Sequence, residues 1–199
     1  MNQKEKKQDV KLDMERIYIE HPEFYGKEMI ERHVKRYDWT LSKLNADDDV
    51  LELCCGSGYG SKMIAEKCKK VLALDKSKDA IAYAKQHYKK DNLQYEPEDL
   101  SNPNFWKYAL NLKFNAIVWI EAIEHFTDLQ AVVMLQVLSK MLLPGGRIII
   151  STPDKENSES KNEFHVKEYT AFELKNLIRR YFNIDEIKVE NNFIYIVAR

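Results

Sequence analysis

At 199 residues the chain is long enough for one α/β domain with a sizeable core and at most a small appendage. Its 31 basic and 32 acidic residues nearly cancel, so no global field draws it toward nucleic acid or an anionic membrane, although a local basic groove would not register in that sum. The hydrophobic share of 44% is ordinary for a soluble protein, and the three cysteines, Cys54, Cys55 and Cys68, form no CxxC pair, which reads as free thiols in a reducing, cytosolic compartment.

Residues 1–13 are dominated by charge and hold no apolar core for a signal peptide or membrane span, so they read as a solvated, disordered tail. Over residues 14–45 apolar and aromatic side chains recur at helical spacing, with His21-Pro22 as the expected break between two short helices. Tyr18, Phe24, Tyr25, His33, Arg36, Tyr37 and Trp39 in this segment suit either a lid over a ligand or an amphipathic cover for a sheet edge. The main domain then runs over 46–199. VLELC, VLALD, LQYE, NAIVWI and RIIIST read as strands. The segments between them supply helices, among them KDAIAYAKQHYKK and the apolar stretch 128–142, which LLPGG ends. Trp106, Trp119 and the apolar face of 129–142 are assigned to the core. Residues 153–163, PDKENSESKNE, carry no large apolar side chain and predict an exposed loop.

TAFELKNLIRRYF opens with Thr170 and places Glu173 three positions on, the spacing of a capping box. IDEIKVE and FIYIVA are joined by Asn191-Asn192, a pair that tolerates a left-handed hairpin turn. Strands alternating with helices predict an α/β, Rossmann-like parallel sheet with helices on both faces, here finished by a terminal antiparallel hairpin. A dinucleotide-binding oxidoreductase would instead continue with further βα units.

The loop ELCCGSGYG places Gly56, Gly58 and Gly60 where a strand must turn into a helix and a ligand can approach the backbone. Asp75 ends the second strand, where a carboxylate can accept from two ribose hydroxyls. Together these residues point to an adenosine-containing ligand. Glu52 would repel a pyrophosphate and attract a methionine amino group, which favours S-adenosyl-L-methionine over NAD. Asp99, after the third strand, suits either an adenine amino group or a helix cap.

The segment WIEAIEHF brings Glu121, Glu124 and His125 to the carboxyl end of the fourth strand, and His165 follows the fifth. If 121–125 turn helically, the three share one face, and with His165 they form a candidate divalent-metal site. Alternatively His125 or His165 is a general base oriented by the carboxylates, or the acid and imidazole pair simply braces a loop.

ELCCGSGYG, LALDKS, PEDL, NAIVWIEAIEHF and LLPGGRIIISTP resemble, in order and interval, the motifs of class I S-adenosylmethionine-dependent methyltransferases. Within that family RHVKRY, IEHF and FHVKEY are similar to an EHxxRY, EH and FHxxEY group that often acts near glycan or nucleotide-sugar pathways. The resemblance implies a cofactor site in which Glu52 meets the methionine amino group and Gly56, Gly58 and Tyr59 lie against the cofactor. It further implies that Asp75 holds the ribose, Asp99 and the Leu100 backbone hold the adenine, and Glu121 borders both cofactor and acceptor. Cys54 stands where the family usually has a glycine, which predicts a backbone with φ < 0 there and a thiol facing the cofactor. Lys76 replaces an apolar neighbour of the adenine, and its stem can cover the ring.

His125, Glu124, His165 and Glu121 are then the candidate catalytic group, and the expected reaction is O-methylation of a small sugar or nucleotide-sugar hydroxyl. The ExxEH pattern with a distant His also resembles the metal site of small-RNA 3′-end 2′-O-methyltransferases. That leaves RNA ribose methylation as the alternative, with a non-catalytic cofactor-binding partner subunit as the other.

Overall fold

The computed structural model describes residues 16–157 and 162–199, so the tail expected over 1–13 lies outside the described residues. Within them, the parallel strands are β1 (Asp49–Leu53), β2 (Lys70–Asp75), β3 (Leu93–Pro97), β4 (Phe114–Ile120) and β5 (Leu142–Pro153). β6 (Ile184–Glu190) and β7 (Phe193–Ala198) form the terminal hairpin, with β7 antiparallel to both β5 and β6. The sheet order is β3-β2-β1-β4-β5-β7-β6. Strand order reverses between β1 and β4, so the crevice beyond their carboxyl ends is where an open α/β sheet gathers ligands.

Alternation along the strands explains the layers. Leu51, Leu53, Ile117, Trp119, Ile148 and Ile150 point to one face and pack with Trp106, Leu135, Leu138 and Ile178. Those partners come from α5 (Pro103–Ala109), α6 (Asp128–Met141) and α7 (Ala171–Ile178). Val50, Val71, Ala73, Ala116, Val118 and Ile149 point to the other face, with Tyr37, Ile64, Ile81 and Tyr83. These belong to α2 (Lys27–Ser42), α3 (Tyr59–Lys67) and α4 (Lys78–His87). Both faces are thus covered, as a parallel sheet requires.

The expected cap forms: Thr170 and Glu173 make a reciprocal capping box on α7, and the structure adds a second, Thr127 with Gln130, on α6. Asn191 and Asn192 take φ values of 51° and 68°, the left-handed pair that a two-residue hairpin with matching twist needs.

Three local expectations change. The helical break before α2 falls at Gly26, φ 74°, because Pro22 starts the one-turn α1 (Pro22–Tyr25) rather than ending a helix. Residues 16–21 are instead a non-helical strap, held by Tyr18 edge-on to Tyr83 at 4.8 Å and by Glu20, which accepts from the Tyr88 hydroxyl. α6 ends at Met141, just before LLPGG as expected, but β5 already begins at Leu142 rather than at Arg147, and a register shift against β4 absorbs the extra residues. Asp154, expected in an exposed loop, is buried because the backbone N–H of Glu156 and the Asn157 amide donate to its carboxylate.

Candidate active site

A cavity of about 860 Å³ opens over the carboxyl ends of β1, β2, β4 and β5 and is closed on one side by the strap and α2. Its floor is the loop after β1. Cys54 takes φ 56°, correcting the expected φ < 0, since the loop keeps the left-handed turn that a glycine would favour and the thiol tolerates it. Gly56 also has positive φ, 57°, and its N–H donates to Asp75 Oδ2 at 2.9 Å.

Gly58 does not line the cavity. A Cβ there would sit 2.6 Å from Ala84 Cβ and 3.0 Å from the Tyr95 ring, so the glycine serves helix packing behind the loop. Tyr59 does line it, with its hydroxyl 3.4 Å from His33 Nδ1 and its ring edge-on to Tyr37.

Asp75 lies on the wall and is buried. Its Oδ1 accepts from Arg16 Nη2 at 3.0 Å and from the Ser77 N–H at 2.9 Å. Lys76, Asp99 and Leu100 continue the wall. Asp99 Oδ1 accepts from the Ser101 N–H and hydroxyl, while Asn102 caps α5, so Asp99 is not the helix cap. Glu52 lies behind the wall. It is almost fully buried and accepts from Tyr37 Oη at 2.8 Å and Ser61 Oγ at 2.5 Å. Burial raises its pKa to about 7, against the opposing pull of those two donors.

The fourth strand ends at a sharp reversal. Glu121 takes φ 52°, and only Ile123–His125 form a 3₁₀ turn, so the helical face that would align Glu121 with Glu124 and His125 does not form. Glu121 Oε1 accepts from Ser151 Oγ at 2.7 Å and stands 3.7 Å from Arg36 Nε. Burial raises its pKa, while the Arg36 charge opposes the shift.

Glu124, His125 and His165 do converge, with one ligand atom from each lying within 4.8 Å of the others. Glu124 is buried, accepts from Thr152 Oγ1 at 2.9 Å, and has its pKa raised well above the usual range by burial and the Glu121 charge. Its backbone carbonyl accepts from the N–H groups of Val166 and Lys167, which ties the loop after β5 to the end of β4. His125 Nδ1 is 2.9 Å from the Phe164 carbonyl, and His165 Nδ1 is 2.8 Å from Glu168 Oε1. Since a backbone carbonyl and a carboxylate accept, each ring donates from Nδ1, and Nε2 is the nitrogen not used in these two bonds. The two rings meet edge to face with centroids 5.3 Å apart.

Of the residues that sequence reasoning overlooked, Glu168 carried a signal, because it stands three positions after His165 in FHVKEY. Ser61, Ser151 and Thr152 carried none, since each acts by accepting a position opposite a carboxylate from another element. Arg16 carried none either, being a lone cation in a segment read only from its apolar and aromatic side chains.

Residues 50–146 match the family model described as a methyltransferase domain. A probable S-adenosylmethionine-dependent methyltransferase of Mycolicibacterium smegmatis is 30% identical over 139 residues, 67% of this chain and 51% of that protein. A ubiquinone biosynthesis O-methyltransferase of Aeromonas salmonicida is 24% identical over 119 residues, covering 59% of this chain and 49% of the relative. The chain therefore spans about half the length of the curated relatives it matches. A solved protein of Pyrococcus horikoshii OT3 shares the fold with a TM-score of 0.72 at 19% identity, over 87% of this chain and 92% of the other. The methyltransferase-domain match, the relative from Mycolicibacterium and the seven-stranded sheet agree, and the chain belongs to the class I S-adenosylmethionine-dependent methyltransferase family.

Proposed function

We propose that the protein transfers a methyl group from S-adenosyl-L-methionine to a hydroxyl of a small acceptor, a sugar or nucleotide-sugar. The observation that carries this reading is the pair of imidazoles, His125 and His165, each held through Nδ1 at the β4 and β5 end of the cavity. Asp75, Gly56, Asp99 and Leu100 occupy the β1 to β3 end, where adenosine would bind.

Methyl transfer is an in-line displacement, so the protein's work is to align the acceptor and exclude water. When bound, S-adenosylmethionine would supply the methyl group to the acceptor oxygen and leave as the neutral thioether. The acceptor proton moves to Nε2 of His165, and Glu168 at Nδ1 orients the ring and offsets the charge that forms. Glu124, pinned by Thr152, fixes the turn that presents His125.

A second reading has a specific observation behind it. The convergence of Glu124, His125 and His165 suits a divalent cation, with Glu168 orienting one imidazole ligand and Glu121 outside the set. Such a cation would act as a Lewis acid on acceptor hydroxyls, including the ribose diol of an RNA end. The near-zero net charge of −1 supports the small acceptor over RNA, because phosphate binding needs concentrated Lys and Arg.

Replacing His165 by Ala is expected to lower turnover by about a hundredfold or more while leaving S-adenosylhomocysteine affinity unchanged. Equal turnover would leave His165 with a bracing role only. Loss of activity with EDTA, restored by a divalent metal, selects the second reading.

A further inference from the structure

Three arginines line the cavity, and two of them meet carboxylates: Arg16 pairs with Asp75, and Arg36 faces Glu121 at 3.7 Å. Arg32 does not. It is exposed and makes no hydrogen bond or ion pair with any described residue, and Glu28, one turn earlier on α2 and also exposed, does not reach it.

The place of Arg32 on the helix decides what it can meet. Met29, Arg32, His33 and Arg36 follow the spacing of one helical face, and all four line the cavity. α2 leads from Ser42 into the start of β1, and the Leu41 carbonyl accepts from Lys67 at the end of α3, so the N-terminal half of α2 stands over the carboxyl ends of the strands. Arg36 stacks on Phe193 at the start of β7, and Arg32 lies one turn, about 5.4 Å, further toward the mouth. This is the side that His125, His165 and Asn192 also line, away from Asp75, Asp99 and Leu100 at the ends of β2 and β3.

The field on this wall is positive. His33 has its pKa pushed down to about 3, first by desolvation of its ring and then by the charges of Arg36 and Arg32. The neutral imidazole leaves two guanidiniums as the fixed charge of the helical face, and Glu121 faces Arg36 rather than Arg32. An exposed guanidinium whose N–H fork is free suits a tetrahedral oxyanion, which it meets with two parallel hydrogen bonds.

We propose that Arg32 binds a phosphate group of the methyl acceptor, which makes the acceptor a phosphorylated sugar, either a sugar phosphate or a nucleotide diphosphate ester, and not a neutral sugar. This assignment rests on the reading of His125 and His165 as the acceptor end of the cavity. The net charge of −1 fits a single phosphate contact, whereas an RNA strand needs several such cations along one groove.

Two measurements on the full chain test it. The first is calorimetry of the S-adenosylhomocysteine-saturated protein with inorganic pyrophosphate, in wild type, Arg32→Gln and Arg32→Lys. Pyrophosphate affinity is expected to fall about tenfold or more in Arg32→Gln, to be partly kept in Arg32→Lys, and to weaken with added salt. S-adenosylhomocysteine should bind wild type and both variants alike, which also shows that the variants are folded. The second is methylation of hexoses, their uronates, their 1-phosphates and their uridine diphosphate esters with labelled cofactor. Label is expected on the phosphorylated forms, and Arg32→Gln should raise their KM about tenfold or more at a kcat within about twofold of wild type.

Pyrophosphate binding that is absent from wild type, or equal in Arg32→Gln, overturns the assignment. So does label on neutral hexoses or uronates in preference to the phosphorylated forms, or on RNA alone. A loss of S-adenosylhomocysteine affinity in Arg32→Gln overturns it as well, because Arg32 would then serve the cofactor. If no sugar is methylated, the reading of the reaction fails by itself, and the pyrophosphate titration alone then supports or overturns Arg32 as the anion site.

Discussion

Arg16 and Asp75 form a buried ion pair at 3.0 Å, on the carboxylate that a bound ribose would share. With the N–H groups of Gly56 and Ser77 also donating, three of the roughly four lone-pair directions of Asp75 are engaged. Ribose hydroxyls would therefore compete with Arg16. Asp75→Ala is expected to weaken S-adenosylhomocysteine about tenfold or more, ~1.4 kcal/mol, and Arg16→Ala to tighten it severalfold, both read by calorimetry. Unchanged binding in Asp75→Ala would mean that the ribose is held elsewhere.

Cys54 holds backbone strain at the cavity floor, with φ 56°. A non-glycine residue in the left-handed region costs roughly 1–2 kcal/mol, while glycine there gives back about 0.5–1 kcal/mol in chain entropy. Cys54→Gly is expected to leave stability unchanged or to raise it by up to ~1 kcal/mol. Cys54→Val, β-branched at φ 56°, should lose about 2 kcal/mol or more. Urea denaturation of the two variants measures both, and a Val variant as stable as the Gly variant would refute the strain.

Gly60 faces the lid rather than the ligand. A Cβ there would lie 2.0 Å from the Tyr37 ring, which covers Glu52. Gly60→Ala must push Tyr37 and α2 outward, at an expected cost of about 1–3 kcal/mol. Thermal unfolding should show that loss, and an unchanged Tm would mean that the helix repacks freely.

Glu52 gives the stability a pH dependence whose sign is fixed. Its folded pKa of about 7 exceeds the ordinary value of 4.5, so between them the folded state holds a proton that the unfolded state has released. Stability from this group therefore falls as pH rises from about 4.5 to about 7, by no more than roughly 3 kcal/mol, and is flat above. Glu52→Gln should remove that component, so the variant gains on the wild type as pH rises across the window. A constant Tm difference from pH 4.5 to 8 would contradict it.

Much of this was legible in the sequence because it rests on periodicity and local chemistry. The alternation of Val50, Leu51, Leu53 and of Ala116, Ile117, Trp119 determined which side chains reach which face of the sheet. Thr170 with Glu173, and Asn191 with Asn192, are local enough to be read directly. The candidate site was legible only as a set of residue types. Glu121 and Glu124 are three positions apart, yet the positive φ at Glu121 sends one carboxylate to Arg36 and the other to the imidazoles. Glu52 was expected in the cavity, but Tyr37 arrives from α2 to cover it. Both outcomes depend on where a distant helix packs, and no local pattern encodes that.

The most direct test of the account is methyl transfer itself. Purified protein is incubated with methyl-labelled S-adenosylmethionine and a panel of sugars, nucleotide-sugars and short RNAs, and labelled products are identified by mass spectrometry. The account predicts a labelled methyl ether on a sugar or nucleotide-sugar hydroxyl, lost in His165→Ala. Label appearing on nitrogen or only on RNA, or equal label in His165→Ala, would contradict it.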